Sequence, residues 1–468
     1  MSVDKRHTQF TKFYNQWQTM RDVIEGDDTI KAGGIKYVPK LDSQDTTAYN
    51  TMINRAVFEN YTNRTLDGIT GLIFAKAPLI ELGSIMEQYV DNIDLDSSTL
   101  TDLAQLAVSE VTAVGRVGLL VDMPSVDTQG MSKADVELLN IRPYIKTYNT
   151  ETIINWKTET INNVTALSML VLFETYDQWV SEFESKTAER YRVYSLNEGV
   201  CTVRVFEKAD DNYIVTSESI PVMNGKAINF IPFVSITPDN LTINPSKSPL
   251  YDIAKVNINH FATAVDYSHG AHYTALPTAL FWGAQLQQGE KITLGSSFAH
   301  TFPDPSGHGE YLEFKGDGLQ TLERKMVASK DSIAALGAKL LSSDSNAQIA
   351  ESTMAMRTSS ERSIIISIAD TCSRGIKKAL EIMAMWAGDN TEVQFALNTD
   401  YNLTTLDSAT LRELVSAWQL GALSERELFI NLQKGELIGE DVSFEDHQGE
   451  LDIAMPSLSV PPAKNVPA

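Results

Sequence analysis

The sequence is poor in cysteine and has no long apolar run. Cys201 and Cys372 are the only cysteines among 468 residues. Two thiols that far apart in sequence do not make a disulfide framework or a cysteine zinc site, so we expect two buried free thiols. No uninterrupted apolar stretch reaches the roughly 20 residues that cross a bilayer, and residues 1–18 lack the apolar centre of a signal peptide. We therefore expect a folded protein in cytoplasm-like surroundings, with no membrane segment.

Basic residues are also scarce relative to acidic ones. The chain has 38 lysines and arginines and 61 aspartates and glutamates, which gives a net charge of −23. Static wrapping of DNA depends on cations that release counterions from phosphates, so this composition disfavours it. The charge leaves open a protein past which DNA moves, and equally a protein whose acidity serves solubility alone.

The sequence carries none of the common catalytic or cofactor-binding motifs. It lacks a phosphate-binding loop, a dinucleotide-binding glycine fingerprint, a nucleophile elbow and a metalloprotease helix motif. A run of aspartates near Asp94 begins like a calcium loop, but its sixth and twelfth positions hold Thr99 and Gln105 instead of glycine and glutamate. We therefore expect no catalytic residue, no cofactor and no metal.

Three histidines fall on or near one predicted helix. His269 and His272 are three residues apart and would share a helix face. A metal site needs a third and a fourth ligand, and the sequence nearby does not clearly supply them. We therefore expect His260, His269 and His272 to be solvated or to lie at an interface.

Two long helices are predicted in the middle of the chain. The first begins at Ser248-Pro249, an N-cap followed by proline, and extends to about Ala275. The second spans Asp317 to Leu341, with an apolar stripe at alternating steps of three and four, as in coiled coils. The stripe consists of Leu319, Leu322, Met326, Ser329, Ile333, Leu336 and Leu340. With a small strand-and-turn module between them, the two helices indicate a stalk and favour a role in assembly.

A polar segment and further helices follow the stalk. Residues 342–346 are of types that favour turns and caps, and a third long helix is predicted from about Glu351 until Gly388 stops it. Two short helices are predicted near the C-terminus, the second opened by a capping box that starts at Ser424. The acidic and then proline-rich tail is expected to be extended.

The chain is predicted to be α+β. Residues 46–73 have helical spacing, whereas residues 141–236 contain short β-rich runs with a period of two, which predicts an antiparallel meander. A later run at 392–397 is predicted to return and pair with that earlier sheet. The stalk would then be an excursion from one discontinuous body.

The second stalk helix is locally basic. Four cations outnumber Glu323 and Asp331, namely Arg324, Lys325, Lys330 and Lys339. One interpretation is an ordinary solvated helix face. The other is weak, repeated contact with phosphates along a channel, in which acidic surroundings prevent tight binding.

Three segments of this chain together resemble the portal protein of tailed bacteriophages, the head-to-tail connector. The first has Trp17, Arg21-Asp22, Gly26, Lys31, Gly34, Tyr37 and Pro39. The second opens the stalk with Pro249-Leu250-Tyr251-Asp252-Ile253-Ala254 and continues to Ala275-Leu276-Pro277-Thr278. The third has Asp400-Tyr401, Leu411, Trp418, Gly421 and Ser424. The resemblance covers nearly the whole chain.

The resemblance implies a portal-like architecture. It comprises an antiparallel-sheet wing, two long stem helices, a small α/β clip, a long wing helix after a tunnel loop, and a helical crown. The implied boundaries are 1–248 for the N-terminal wing, 249–275 for stem helix 1, 276–316 for the clip, 317–341 for stem helix 2, 342–350 for the tunnel loop, 351–405 for the rest of the wing, and 406–468 for the crown and tail. This chain has Glu351-Ser352-Thr353-Met354 where the family often has a Glu-Thr-Ala start to its long helix.

The resemblance also implies partners and a location. The chain would form a homo-oligomeric ring, usually of twelve subunits, at one capsid vertex of the virion, assembled in the host cytoplasm. Double-stranded DNA would pass along the axis. The clip would face the large subunit of the terminase and later a tail adaptor or tail protein, and the ring would also contact the major capsid protein and a scaffold. From the tunnel loop, Ser343, Asp344, Ser345 and Asn346 join the four cations as channel candidates.

Two other functions remain open on sequence grounds. One is an oligomeric scaffold that uses its helices for protein contacts without DNA. The other is an enzyme whose catalytic site is dispersed beyond the reach of motifs, which a deep cleft with convergent polar groups would indicate.

Overall fold

The computed structural model describes most of the chain. The described residues are 2–40, 42–124, 131–132, 135, 138–161, 163–209, 212–275, 278–282, 308–312, 317–341, 351–399, 408–419, 422–434 and 442–445. They divide into two compact units, residues 1–399 and residues 400–468. The fold is mixed α+β with antiparallel sheets, as predicted.

The first part of unit 1 is mainly helical. Its elements are α1 Thr8–Glu25, α2 Asp27–Gly33, a 3-10 turn Gly34–Lys36, α3 Thr46–Arg55, α4 Tyr61–Ile73, β1 Leu79–Glu81, α5 Ser84–Glu87, α6 Leu100–Val114 and β2 Val117–Asp122. A capping box between Thr99 and Asp102 opens α6, and Gly115 ends it at φ +82°. Because α6 and β2 are buried along nearly their whole lengths, they form the centre of the core.

The predicted helical stretch 46–73 is interrupted in the structure. α3 ends at Arg55, and α4 begins only at Tyr61. The side chain of Asn60 caps α4 by accepting from the Asn63 amide, and it also donates to the backbone carbonyl of Val23 at the end of α1. Tertiary contact with α1 therefore ends one helix and starts another within a single helical pattern.

Strands dominate the next part of unit 1. They are β3 Tyr144–Asn149, β4 Ile153–Ile161, β5 Val164–Trp179, β6 Ser185–Asn197, β7 Val200–Ala209, β8 Asn212–Ser219, β9 Val222–Met223, β10 Lys226–Ala227 and β11 Phe233–Ile236, with a 3-10 turn Thr150–Thr152 after β3. β4 to β8 form a five-stranded antiparallel meander in sequence order. The predicted meander is therefore confirmed for β5 to β8, and β4 is a further strand that the period-two runs did not predict.

The ends of the region predicted as a meander belong to a different sheet. β3 and β11 both pair with β2 and make a three-stranded sheet in the order β11-β2-β3. β2 is buried and apolar, so it needs a strand on each side to satisfy its backbone groups. The period-two pattern marks strands but does not say which strands pair.

The remaining elements alternate between long helices and short strands. They are α7 Tyr251–Ala275, β12 Thr278–Trp282, β13 His308–Leu312, α8 Asp317–Leu341, α9 Glu351–Ala387 and β14 Gln394–Ala396. α9 packs on β2 and β11 so closely that a methyl group on Gly375 would lie 2.5 Å from Ile236 Cδ1. The predicted helices 317–341 and from Glu351 are confirmed, and the first stalk helix begins at Tyr251, two residues after the predicted boundary.

The prediction that residues 392–397 return to the meander is wrong. β14 pairs instead with β1 in a two-stranded antiparallel sheet, with Ile80 opposite Phe395. α9 holds the returning chain, because the Leu397 amide donates to Ser373 Oγ at 2.9 Å and Lys377 Nζ donates to Gln394 Oε1 at 3.1 Å. These contacts direct β14 along α9 to the short strand β1.

Unit 2 contains two helices in its described part, α10 Ser408–Gln419 and α11 Glu425–Lys434. The capping box predicted at Ser424 is confirmed, since Ser424 Oγ accepts from the Glu427 amide while the Glu427 carboxylate accepts from the Ser424 amide. Phe429 of α11 packs edge-on against Phe444, with ring centroids 5.3 Å apart.

A buried arginine ties the core to the segment that leads into α7. Arg116 is completely buried, and its guanidinium donates to Thr150 Oγ1 and to the carbonyls of Thr150, Ile153 and Ile243 at 2.9 to 3.2 Å. The guanidinium also lies 5.5 Å from the ring of Trp17 and 4.6 Å from that of Trp156. Burial lowers the pKa of Arg116 to about 9, still above neutrality, so it remains charged at neutral pH.

The segment 243–248 lies directly against the end of α6. A methyl group on Gly115 would lie 2.3 Å from the carbonyl oxygen of Ser246, so only glycine fits there at its positive φ. Ser248 donates to the carbonyl of Thr112 and accepts from the Leu250 amide, as the predicted N-cap requires. The core thereby determines where α7 starts.

We predict that Arg116→Met destabilises unit 1 by about 2–4 kcal/mol, because several buried carbonyls lose their donor while the volume is nearly kept. The midpoint of urea unfolding measures this. Arg374→Met is the matched control: Arg374 pairs with Asp370 on an exposed helix face, and its loss should cost roughly 0.5 kcal/mol or less. Equal effects of the two substitutions would contradict the role of Arg116.

Candidate functional site

α7 and α8 form an antiparallel helix pair that continues into a strand pair. Gly270 lies opposite Leu319, and Thr278 pairs with Leu312, so the residue numbers of opposite positions add up to about 590. Gly270 permits the close approach, because a methyl group there would lie 2.8 Å from Leu319 Cδ2. Each helix has 25 residues, or about 37 Å at 1.5 Å per residue.

Asn257 attaches α7 to the start of α4. Its side chain is fully buried, and Asn257 Oδ1 accepts from both the amide and the hydroxyl of Thr62 at 3.1 Å. Asn257 Nδ2 donates to the carbonyl of Glu59 at 2.9 Å. Both the oxygen and the nitrogen of the amide group are therefore hydrogen-bonded to the segment from Glu59 to Thr62. Sequence reasoning missed this residue, although an asparagine on the buried face between Ile253 and Phe261 is the signal that could have revealed it.

α8 buries one narrow stripe. Among its described side chains, Ser329 and Ile333 are buried, and Leu319, Leu322, Met326 and Leu336 are half-buried. This is the predicted stripe, except that the side chain of Leu340 lies outside the described residues. The other side chains described between 318 and 335 are exposed, including Val327 at 53%. One helix face thus packs within the chain while most of the circumference of α8 stays open.

The candidate cations of α8 do not share one environment. Lys330 lies 3.3 Å from the Glu59 carboxylate and over the ring of Tyr61. Hydrogen bonds with Tyr61 and Glu59 raise the pKa of Lys330, and the Tyr61 hydroxyl in turn lowers the pKa of Glu59. Glu59 and Tyr61 were not predicted, because nothing in the local sequence places them beside a helix some 270 residues later. Lys330 therefore holds α8 to α4.

Lys325 and Arg324 are more open. Lys325 is exposed and interacts electrostatically with Asp266 of α7. Burial raises the pKa of Asp266, and the positive charge of Lys325 opposes that rise. Arg324 is exposed and forms no ion pair with any residue in the described ranges. Among the described cations of α8, Arg324 is thus the one whose charge is most available to a partner.

Several channel candidates lie outside the described residues. Lys339 belongs to α8, but its side chain is not among those described. Ser343, Asp344, Ser345 and Asn346 fall in the undescribed segment 342–350. Their role stays a prediction.

His260 of α7 differs from the expectation, whereas His269 and His272 are half-buried. His260 is 1% exposed and packs edge-on against Tyr61 at 5.6 Å, so it is neither solvated nor at a free surface. Burial lowers the pKa of His260, with the Glu59 carboxylate opposing this effect. Its position between α4 and α8 follows from their packing on α7, which a single helix pattern does not reveal.

Outside the helix pair, the described part of the chain offers few candidates for a metal-binding or catalytic site. No group of three or more His, Cys, Asp or Glu side chains there could hold a metal ion. Cys201 and Cys372 are buried and free, as predicted, and burial raises both thiol pKa values. A cleft of about 410 Å³ lies beside the start of α7, but the hydroxyls of Ser248 and Ser367 in its lining both donate to backbone carbonyls. Neither serine is arranged as an activated nucleophile.

Within the ranges that the structure describes, no helix is both long enough and apolar enough to cross a bilayer.

Comparison with known proteins gives one family match and several structural likenesses. Residues 249–387, which include α7, α8 and α9, match a family described as a domain of unknown function, DUF4055. No curated protein matches the chain.

The solved structures that resemble the chain come from gene transfer agent particles. They are a virion of the native particle (11% identity, TM-score 0.40, covering 86% of this chain and 98% of the other), the neck of the empty particle computed with C6 symmetry (12%, 0.39, 87% and 98%), and the neck of the native particle computed with C12 symmetry (10%, 0.40, 86% and 98%).

We predict that Asn257→Ala destabilises unit 1 by about 2–4 kcal/mol, because the Thr62 amide and the Glu59 carbonyl lose buried partners. The midpoint of urea unfolding measures this decrease in the free energy of unfolding. Asn259→Ala, two residues away on the exposed side of α7, is the control and should be neutral or slightly stabilising, since alanine is the better helix former. The prediction fails if both variants unfold at the wild-type midpoint.

Proposed function

We propose that this chain is the subunit of a phage-type portal, a ring at one capsid vertex through whose axis double-stranded DNA is packaged and ejected. The observation that carries the proposal is the α7–α8 pair, which buries a single stripe of α8 and leaves the rest of that helix open. A rod about 37 Å long with an open flank suits lateral contact with an identical rod in the next subunit.

Ring closure gives this flank a physical purpose. A head-to-tail contact repeats around a ring only if each subunit offers two different surfaces that complement each other. The exposed face of α8 carries Val327 together with Glu323 and Asp331, so both apolar area and negative charge are available to a neighbour. This mixture is typical of a non-obligate protein interface.

The proposed parts of the subunit follow the chain. The wing would comprise 1–248 and 351–405, the stem helices 249–275 and 317–341, and the clip 276–316. The tunnel loop would be 342–350, and the crown and tail 406–468. The observed helices begin and end within two residues of the proposed stem boundaries, which supports this assignment. The strand pair β12–β13 sits at the far end of the helix pair, where a clip would lie.

The proposed partners are those of a capsid vertex. The large terminase subunit and later a tail adaptor would dock at the clip, while the major capsid protein and a scaffold would contact the ring. The protein would be found in the virion and, during assembly, in the host cytoplasm. ATP would be consumed by the terminase, so the portal itself would not be an enzyme and would need no cofactor.

The second candidate is an oligomeric scaffold that binds no DNA. It is favoured by the net charge of −23 and by the engagement of Lys330 with Glu59. An oligomeric scaffold would also use the open flank of α8, so it too is expected to form a ring. Only DNA packaging distinguishes the two functions.

We predict that the purified protein forms closed rings and does not hydrolyse ATP. Negative-stain microscopy at micromolar concentration shows the rings, and a phosphate-release assay tests hydrolysis. Monomers in solution scattering at that concentration would overturn the proposal. ATP turnover by the protein alone would instead favour an enzyme.

We predict that Arg324→Gln combined with Lys325→Gln lowers the DNA packaged per particle severalfold without changing ring formation, because weak phosphate contacts along the channel are lost. DNA retained after nuclease treatment of particles is the measurement. Lys255→Gln, which removes an exposed cation from α7, is the matched control. Wild-type packaging by the double variant would count against DNA contact and favour the scaffold.

A further inference from the structure

The strands β5 and β6 continue beyond their sheet as a two-stranded ribbon. β4 pairs with β5 only as far as Leu172, and β7 pairs with β6 only from Arg190 onward. The five pairs from Thr175 opposite Glu189 to Trp179 opposite Ser185 therefore have no third strand in the described part of the chain. We name residues 175–189 the arm; its paired part is about 17 Å long.

The root of the arm is held firmly. The side chain of Glu174 is 3% exposed and accepts from Arg190 Nε at 2.6 Å and Arg192 Nε at 3.1 Å. It also accepts from the hydroxyl of Tyr148 on β3. A buried carboxylate with this many charged and polar donors fixes the root relative to both sheets. The direction of the arm is consequently set by the core.

The tip of the arm is strongly apolar and exposed. Trp179 is 67% exposed, Val180 66% and Phe183 88%, and the turn is closed by the Val180 amide donating to the carbonyl of Glu184 at 2.9 Å. Two aromatic rings this exposed present on the order of 300 Å² of apolar area to water. Such an area at the end of a ribbon indicates a contact with another molecule.

The charge of the arm narrows the choice of partner. The arm contains one cation, Lys186, and four acidic residues, namely Asp177, Glu182, Glu184 and Glu189. A partner surface must therefore combine apolar side chains with an excess of positive charge.

The N-terminal region of this acidic chain has that composition. Residues 1–20 contain Lys5, Arg6 and Lys12 against Asp4 alone, and all three cations are exposed. Phe13 and Tyr14 stay half-exposed on α1, with Lys12 Nζ 5.3 Å from the ring of Phe13 and the Arg6 guanidinium 4.9 Å from that of Tyr14. We name these five residues, Lys5, Arg6, Lys12, Phe13 and Tyr14, the α1 surface.

The tip of the arm is not packed on the α1 surface of its own chain. The His7 amide donates to the carbonyl of Ile154, beside the pair of Ile153 with Leu172 near the root of the arm. Trp179 lies seven residues further along β5 from Leu172, or about 24 Å away in an extended strand. The exposure of the tip shows that the arm does not fold back.

We propose that the arm of one copy docks on the α1 surface of the next copy, with Trp179 and Phe183 against Phe13 and Tyr14, and Glu182 and Glu184 beside Arg6 and Lys12. The two surfaces are different parts of the chain, so the contact is head-to-tail and can close a ring. This inference rests on the proposed portal function and names a contact by which the ring is held.

The first test is the double substitution Trp179→Ser with Phe183→Ser. We expect the concentration for half-assembly to rise at least tenfold, as for other interfaces that lose two central aromatic anchors. Mass photometry measures it. Ile214→Ser with Ile220→Ser is the matched control, because both isoleucines are about half-exposed, at 51% and 52%, outside the arm. Unchanged rings in the Trp179/Phe183 variant would overturn the inference and leave the portal proposal standing.

The second test identifies the receiving surface. A chain with Glu182→Cys is mixed with a chain carrying Lys12→Cys, and oxidative cross-linking is measured; the natural cysteines are buried and add little background. We expect cross-linked pairs in the mixture, and none when Lys208→Cys, an exposed site on β7, replaces Lys12→Cys. Equal cross-linking at both sites would overturn the inference.

The two proposals fail in different ways. Wild-type protein that stays monomeric in both assays would overturn the ring and the arm contact together. A closed two-subunit particle that cross-links between Glu182→Cys and Lys12→Cys would support the arm contact while contradicting the portal.

Discussion

The buried guanidinium of Arg116 is the interaction on which the arrangement of unit 1 depends. It joins β2, the 3-10 turn at Thr150–Thr152 and the carbonyl of Ile243, and it stacks between Trp17 and Trp156. A charge in the core is tolerable only when every donor is satisfied, and this requirement allows the surrounding backbone few alternative positions. Because Ile243 lies five residues before Ser248, the same network determines where α7 begins.

Once α7 is placed, the position of α8 follows from complementary contacts along α7. Asn257 fixes α7 to α4, Lys330 and Glu59 attach α8 to the same place, and Gly270 lets the helices approach closely. These contacts use one face of α8 and leave its other faces without partners in the described chain. A long helix that packs on only one side is better explained by an assembly than by a monomer, because the flank is then used between subunits.

Charge and oligomerisation are linked in this chain. With a net charge of −23, identical copies repel one another over distances of about a Debye length, roughly 8 Å at physiological salt. Contacts between copies must therefore bring local positive charge against local negative charge. The α1 surface and the arm have these opposite signs. In the proposed portal, the same acidity would keep passing DNA from binding tightly.

The sequence by itself determined the helices and strands that depend on local periodicity: α8 at Asp317–Leu341, the start of α9 at Glu351, the meander strands β5 to β8 and the Ser424 capping box. Local pattern suffices there, because side-chain spacing and caps act within a few residues. Only the tertiary structure decided the break between α3 and α4, the pairing of β14 with β1, and the burial of His260. It also decided which cations of α8 stay available, since Lys330 is engaged by Glu59 from a distant part of the chain. These features depend on contacts between residues far apart in sequence. The periodicity and composition of a segment do not specify which distant residues it will contact.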